Sequence, residues 1–155
     1  MRHFLLAFAA ALLFLSPVHA DDRKVVEAFY TDLLSNPSGD DLDARVRNVI
    51  SDDWVTEPAG RNGPGAAGFT KTLAGFGAAI PNLNWDVQEI LQDGNRYIVR
   101  SIATGTPEKP LFGVEPKGKS FEIMTIDIHT VKDGRIVQSY HVEEWLKAVA
   151  QLKAD

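Results

Sequence analysis

Apolar residues recur at helical spacing early in the chain: Val25, Val26, Phe29, Tyr30, Leu33 and Leu34 form one stripe, ended by Ser35-Asn36-Pro37-Ser38-Gly39. A second helix is expected over about 42–50, with Leu42, Val46, Val49 and Ile50 on one side and Asp40 or Asp41 as N-cap. Trp54-Val55-Thr56 reads as a short extended segment, and the Gly and Pro cluster over 58–68 as a loop. Phe69, Leu73, Phe76 and Ile80 mark a third helix, which stops at Pro81. From Leu83 the period changes to two. Leu83, Trp85 and Val87 alternate with polar residues, Asp93-Gly94 makes a turn, and 96–104 is a β-rich run. After a loop holding the apolar pair Leu111-Phe112, the longest strand runs over 120–131. It is joined through Asp133-Gly134 to a partner over 135–142, and a short helix over 143–152 ends the chain.

Helices followed by hairpin-connected strands indicate an α+β domain with helices covering one face of an antiparallel sheet. A long strand twists and curls, so helices across the concave side can enclose a pocket. On the longest strand Met124, Ile126 and Ile128 share one face. Phe121, Ile123, Thr125, Asp127, His129 and Val131 share the other, whose polar centre lies between apolar ends. The face of His141 on the partner strand depends on the turn. A three-residue loop with a Gly bulge sets it opposite Thr125 and beside Asp127, whereas a two-residue loop moves it to the Ile126 face. The first register is preferred, because it places Ile136, Tyr140 and Val142 with the apolar face.

Residues 1–20 stand apart from this pattern. Arg2 and His3 precede twelve apolar residues from Phe4 to Leu15, and Val18 and Ala20 supply small residues for a cleavage site. They read as a secretory signal peptide, too short for a spanning helix, which leaves no stable membrane anchor and a domain over 21–155. The leader carries Arg2 and no acid, so its removal takes the formal charge from −5 to −6. That sign, and the lack of any basic run, argue against nucleic acid as partner. There is no Cys, so an exported domain must rest on its apolar core, and thiol nucleophiles and thiolate metal sites are excluded.

Asp127, His129, His141 and the adjacent Glu143 and Glu144 form a polar cluster on an otherwise apolar hairpin. A carboxylate in such a setting has its pKa raised by desolvation and becomes a competent base near neutral pH. The same residues can also be read as a satisfied polar pair, with two acids at the positive end of the last helix. The spacing is not that of a helix-borne zinc site, and no metal or organic cofactor is expected. No Gly-x-Ser-x-Gly elbow is present, and the Gly-rich stretch over 60–68 lacks the Lys-Ser/Thr ending of a phosphate loop. Trp54, Phe76, Trp85, Phe112 and Tyr140 are the candidate aromatic wall for a flat apolar ligand.

Four segments carry a family resemblance: Gly113-Val114-Glu115-Pro116-Lys117-Gly118-Lys119, Ile126-Asp127-Ile128-His129, Asp133-Gly134-Arg135-Ile136-Val137, and the stretch from Tyr140 to Gln151-Leu152. The chain resembles the SnoaL-like polyketide cyclases of the nuclear transport factor 2-like superfamily. Lys117 stands where that pattern has Thr, Tyr140 where Trp is common, and Thr130 where a His or Arg often lies. The resemblance implies a cone-shaped curved sheet under N-terminal helices, a small hydrophobic or carbonyl-bearing ligand, and a homodimer. It also implies cofactor-independent cyclase or isomerase chemistry with Glu144 at the acid/base position, supported by His141, Asp127 or His129. A non-catalytic periplasmic binding protein for a hydrophobic molecule is the alternative.

Overall fold

A computed structural model of the chain describes residues 20–154. The expected signal peptide therefore lies outside the described residues except for Ala20. The elements in order are α1 (Ala20–Ala28), a π-helical stretch (Phe29–Leu34), α2 (Leu42–Val49) and β1 (Ile50–Glu57). Then come α3 (Gly65–Ala79), β2 (Asn84–Asp93), β3 (Arg96–Gly105), β4 (Phe121–Lys132), β5 (Arg135–Glu143) and α4 (Trp145–Lys153). The strands form one curved sheet in the order β1-β5-β4-β3-β2. Every neighbouring pair is antiparallel except β1 with β5, which run parallel. The expected α+β architecture is the one observed. No helix among the described residues is long and apolar enough to cross a membrane.

Three elements depart from the sequence expectation. The first helix widens into π geometry over its second half, which carries Phe29, Tyr30 and Leu33 inward. Single π turns inside α-helices frequently mark functional sites. Asp41 takes the N-cap position of α2 without a capping hydrogen bond; its carboxylate pairs with Arg45 Nε at 3.1 Å instead. The Gly-rich loop is shorter than its composition suggests, because α3 begins at Gly65 and absorbs Gly68. Both glycines are required there by close approach. A Cβ on Gly65, whose φ is +67°, would lie 2.1 Å from the carbonyl oxygen of Asp52, and one on Gly68 would lie 1.9 Å from that of Gly63.

The β4–β5 register decides the site. Asp133 and Gly134 both have positive φ, at 51° and 71°, so the turn is the two-residue type and pairs Lys132 with Arg135. The expected three-residue loop is thus corrected. A bulge then follows: Val131 pairs with Ile136, but Thr130 pairs with Gln138, which leaves Val137 as the extra residue. That one insertion restores the parity that the shorter loop would have reversed. His141 returns to the Asp127 face, directly opposite Asp127 and not Thr125, while Ile136 is fully buried on the core side of the bulge.

Candidate functional site

The inner face of the hairpin carries three cross-strand polar pairs in succession: Thr125 with Glu143, Asp127 with His141, and His129 with Ser139. Thr125, Asp127, His129 and Ser139 are buried. Polar groups in such a position must find partners, since an unpaired one costs on the order of 1–3 kcal/mol. The π-helical stretch, β1 and β2 supply them. Tyr30, from the π-helical stretch, donates its phenol hydrogen to Asp127 Oδ2 at 2.8 Å and lies 2.9 Å from His129 Nε2. His129 Nδ1 lies 2.8 Å from Ser139 Oγ, which in turn accepts the indole N–H of Trp54 at 3.0 Å. Trp85 donates to Thr125 Oγ1 at 3.1 Å.

Above this polar floor is a cavity of about 470 Å³. Asp127, Ser139, His141 and Glu143 line its base, and Trp54, Phe76, Trp85, Phe112 and Trp145 form its walls. Trp145 organises the upper wall, stacked on Phe76 with ring centroids 5.7 Å apart and tilted against Phe112 at 5.1 Å. The chamber suits an apolar, ring-bearing molecule that presents a polar group to one end.

The electrostatics of the floor follow from burial. Desolvation raises the Asp127 carboxyl to about 7; the neighbouring Glu143 charge adds to that, while the Tyr30 hydrogen bond and His141 oppose it. Burial also pushes His129 down to about 3, helped by the charge of His141, so this imidazole is neutral. His141 moves the other way. Its hydrogen bond with Glu143 holds it above the usual imidazole range against the effect of burial. Geometry agrees: Nδ1 lies 2.8 Å from Glu143 Oε1 and Nε2 lies 3.2 Å from the carbonyl oxygen of Pro58, so both nitrogens face acceptors. An imidazolium satisfies both.

The candidate residues separate into those the fold brings together and those it does not. Asp127 and His141 reach the cavity, while His129 lies behind the floor as part of its support. Trp54, Phe76, Trp85 and Phe112 line the walls. Glu144 and Tyr140 are corrections. The Glu144 carboxylate lies off the cavity, where it accepts the Met124 N–H at 3.0 Å and Lys147 Nζ at 3.2 Å. Those contacts, the Met124 N–H first, hold its pKa below the ordinary value. Tyr140 alternates to the outer face of β5, partly exposed, beside Ile126, Ile128 and Val142.

Two members of the site, Tyr30 and Ser139, were not identified from the sequence. Glu143, already part of the expected polar cluster, shares the strand alternation of Ser139 and His141. The same alternation was the available signal for Ser139; Tyr30 had none, since it reads as one more position in an amphipathic stripe and its partner is 97 residues away. Trp145, which reads from the sequence as a possible wall residue alongside Trp54 and Trp85, does line the cavity. Among the described residues no group of three His, Cys, Asp or Glu side chains is arranged to hold a metal ion.

Comparison with known proteins places this geometry in context. Residues 24–152 match the family model described as SnoaL-like polyketide cyclase. Among solved structures, IdmH from Streptomyces antibioticus, named as a candidate polyketide cyclase, is 26% identical. The match has a TM-score of 0.72 and covers 88% of this chain and 100% of IdmH. TsrD from Streptomyces laurentii is 18% identical with a TM-score of 0.77, covering 88% of this chain and 98% of TsrD. AclR from Streptomyces galilaeus, named as a candidate hydroxylase, is 20% identical with a TM-score of 0.69 over 86% of this chain and 81% of AclR. The latter two likenesses concern the fold alone. No curated protein matches the chain.

Proposed function

The chain belongs to the SnoaL-like polyketide cyclase family, and from that premise we propose that it rearranges a small apolar carbonyl compound by proton transfer, with Asp127 as the base. One observation carries the reading. Asp127 Oδ2 is held by Tyr30, while Oδ1 makes no hydrogen bond with the described residues and belongs to a side chain lining the cavity. A carboxylate tuned to about 7 and presented in one orientation suits general base catalysis near neutral pH.

In this scheme Oδ1 takes a proton from the carbon next to the substrate carbonyl. The C–H electron pair moves onto the carbonyl oxygen, and the resulting enolate is stabilised by the positive His141 across the strand pair. For cyclisation, the enolate carbon attacks a second carbonyl of the same molecule, and the alkoxide so formed recovers the proton from Asp127. For isomerisation, the proton returns at another carbon. Glu143 keeps His141 charged, and the aromatic walls hold the ring. The leader pattern of residues 1–20 supports export of the domain.

A thermal-shift screen of lipophilic ketones and esters, followed by deuterium incorporation from D₂O into each hit, tests the proposal. Incorporation at the carbon beside the carbonyl that requires Asp127 supports it. Tight binding without incorporation would instead favour a carrier, a reading that draws on the engagement of both His141 nitrogens by Glu143 and Pro58.

A further inference from the structure

The buried groups behind Asp127 form a continuous chain whose two ends reach the same cavity. Trp54 Nε1, Ser139 Oγ, His129 Nδ1 and Nε2, Tyr30 Oη and Asp127 Oδ2 are linked by contacts of 3.0, 2.8, 2.9 and 2.8 Å. Asp127 and Ser139 line the cavity, whereas His129 and Tyr30 are fully buried. Because an indole N–H can only donate, Ser139 Oγ is an acceptor toward Trp54 in every state. The neutral imidazole has one donor and one acceptor nitrogen, so the hydrogens of the chain point one way or the other.

With Asp127 ionised, Tyr30 donates to it, His129 Nε2–H donates to Tyr30, and the Ser139 hydroxyl donates to Nδ1. With Asp127 protonated, its oxygen is a poor acceptor. The phenol is a stronger donor than a serine hydroxyl and turns to the imidazole nitrogen, the strongest acceptor left in the chain. Asp127 then donates to Tyr30, Nδ1–H donates to Ser139, and the serine hydrogen is released toward the cavity. We propose that Tyr30 and His129 form a reversible relay that makes the Ser139 hydroxyl a second proton-exchange point of the cavity, coupled to Asp127.

The transfer balances. Starting from protonated Asp127, the Asp127 proton passes to Tyr30 Oη, the Tyr30 proton to Nε2, the Nδ1 proton to Ser139 Oγ, and the serine proton to an acceptor in the cavity. Only Asp127, now ionised, and the acceptor change their proton count. The reverse step takes a proton at Ser139 and stores it on Asp127. Tyr30 and His129 are positioning residues in this scheme, while Ser139 meets the substrate. The groups facing the pair are His141 and Glu143 from β5 and Tyr97 opposite His129 on β3; Arg61, in the loop before α3, lines the same cavity. The inference deepens the reading of Asp127 as the base, but its test needs no substrate.

Protein labelled with ¹⁵N-histidine and ¹³C-aspartate is titrated by NMR. The His129 tautomer is expected to change from Nδ1–H to Nε2–H with the same midpoint as the Asp127 carboxyl carbon, wherever that midpoint falls. In Tyr30→Phe, checked for folding by its amide spectrum, Asp127 still titrates and the His129 tautomer stays fixed. A wild-type tautomer that does not move while Asp127 titrates, or a His129 that becomes doubly protonated over that range, overturns the relay, as does a tautomer that still follows Asp127 in Tyr30→Phe. An Asp127 midpoint at an ordinary carboxylate value would count against the proposed base and leave the relay to be judged by the coincidence of the two curves.

Discussion

Glu143 and Glu144 are neighbours in the chain and end in opposite settings. Glu143 lies on the inner face of β5, lines the cavity and holds His141 at 2.8 Å. Glu144 stands at the start of α4, beyond the strand, where its side chain meets the backbone of Met124 and the side chain of Lys147. A single step along the backbone separates a carboxylate that bonds to His141 in the cavity from one that ties α4 to β4. Chemical type therefore says little about role until strand parity is known.

The largest expected effect follows from placing the base on the Glu143 side of this divide. Asp127→Asn should lower deuterium exchange into a bound carbonyl compound by about 100-fold or more, within the usual contribution of a general base. Ligand-induced thermal stabilisation should survive, as measured in the same variant. Equal exchange in wild type and variant would remove Asp127 from the chemistry.

The same substitution should change stability in a pH-dependent way. The folded-state pKa of Asp127 is raised from 3.8 to about 7, so the native state binds the extra proton between those values. The contribution of Asp127 to stability is thus present below about 4 and is lost as pH rises toward 7. Asp127→Asn lacks this loss. Its stability relative to wild type should rise across that window by on the order of 4 kcal/mol, measured by denaturant unfolding at pH 4 and pH 8. His129 contributes the opposite slope below its unfolded value, because it is buried neutral, but does so in both proteins.

Glu143→Gln sharpens the comparison directly. Removing the acceptor that raises His141 should lower the imidazole titration midpoint, read by NMR, and reduce exchange activity by about tenfold through loss of the positive charge near the enolate. Glu144→Gln should leave activity within about twofold and leave the His141 midpoint unmoved. An inactive Glu144→Gln with an active Glu143→Gln would reverse the assignment.

A smaller effect is expected at the rim. Phe112 has φ +49° in the tight turn closed by mutual Leu111 and Val114 backbone hydrogen bonds of 3.0 and 2.9 Å. Phe112→Gly should relieve about 1 kcal/mol of backbone strain and lose about as much through chain entropy and ring packing, leaving the melting temperature nearly unchanged. It should also weaken binding of aromatic ligands by removing the ring that packs on Trp145. Such strain at a cavity wall is characteristic of residues kept for a site and not for stability.

Alternation along 121–131 separated the polar inner face from the apolar outer one, and the buried Thr125, Asp127 and His129 occupy the former. Helical periodicity located the covering helices, and the family resemblance named the fold. Two physical facts were hidden. The bulge at Val137 has no local signal, because a β-branched apolar residue fits a regular ladder equally well; without it the two-residue turn would have put His141 on the outer face. Tyr30 was legible as a core position but not as a hydrogen-bond donor, because its partner comes from a strand at the far end of the chain. The position suggested by the resemblance favoured Glu144, and in the structure it is Glu143, in alternation with His141, that reaches the cavity.

Site-resolved titration of the carboxyl carbons of Asp127 and Glu144 in one sample decides whether the floor of the cavity holds a desolvated base. Asp127 is expected to titrate near 7 and Glu144 below the ordinary glutamate value. Asp127 titrating at about 4, as a solvated aspartate does, would contradict a desolvated base at the floor of the cavity.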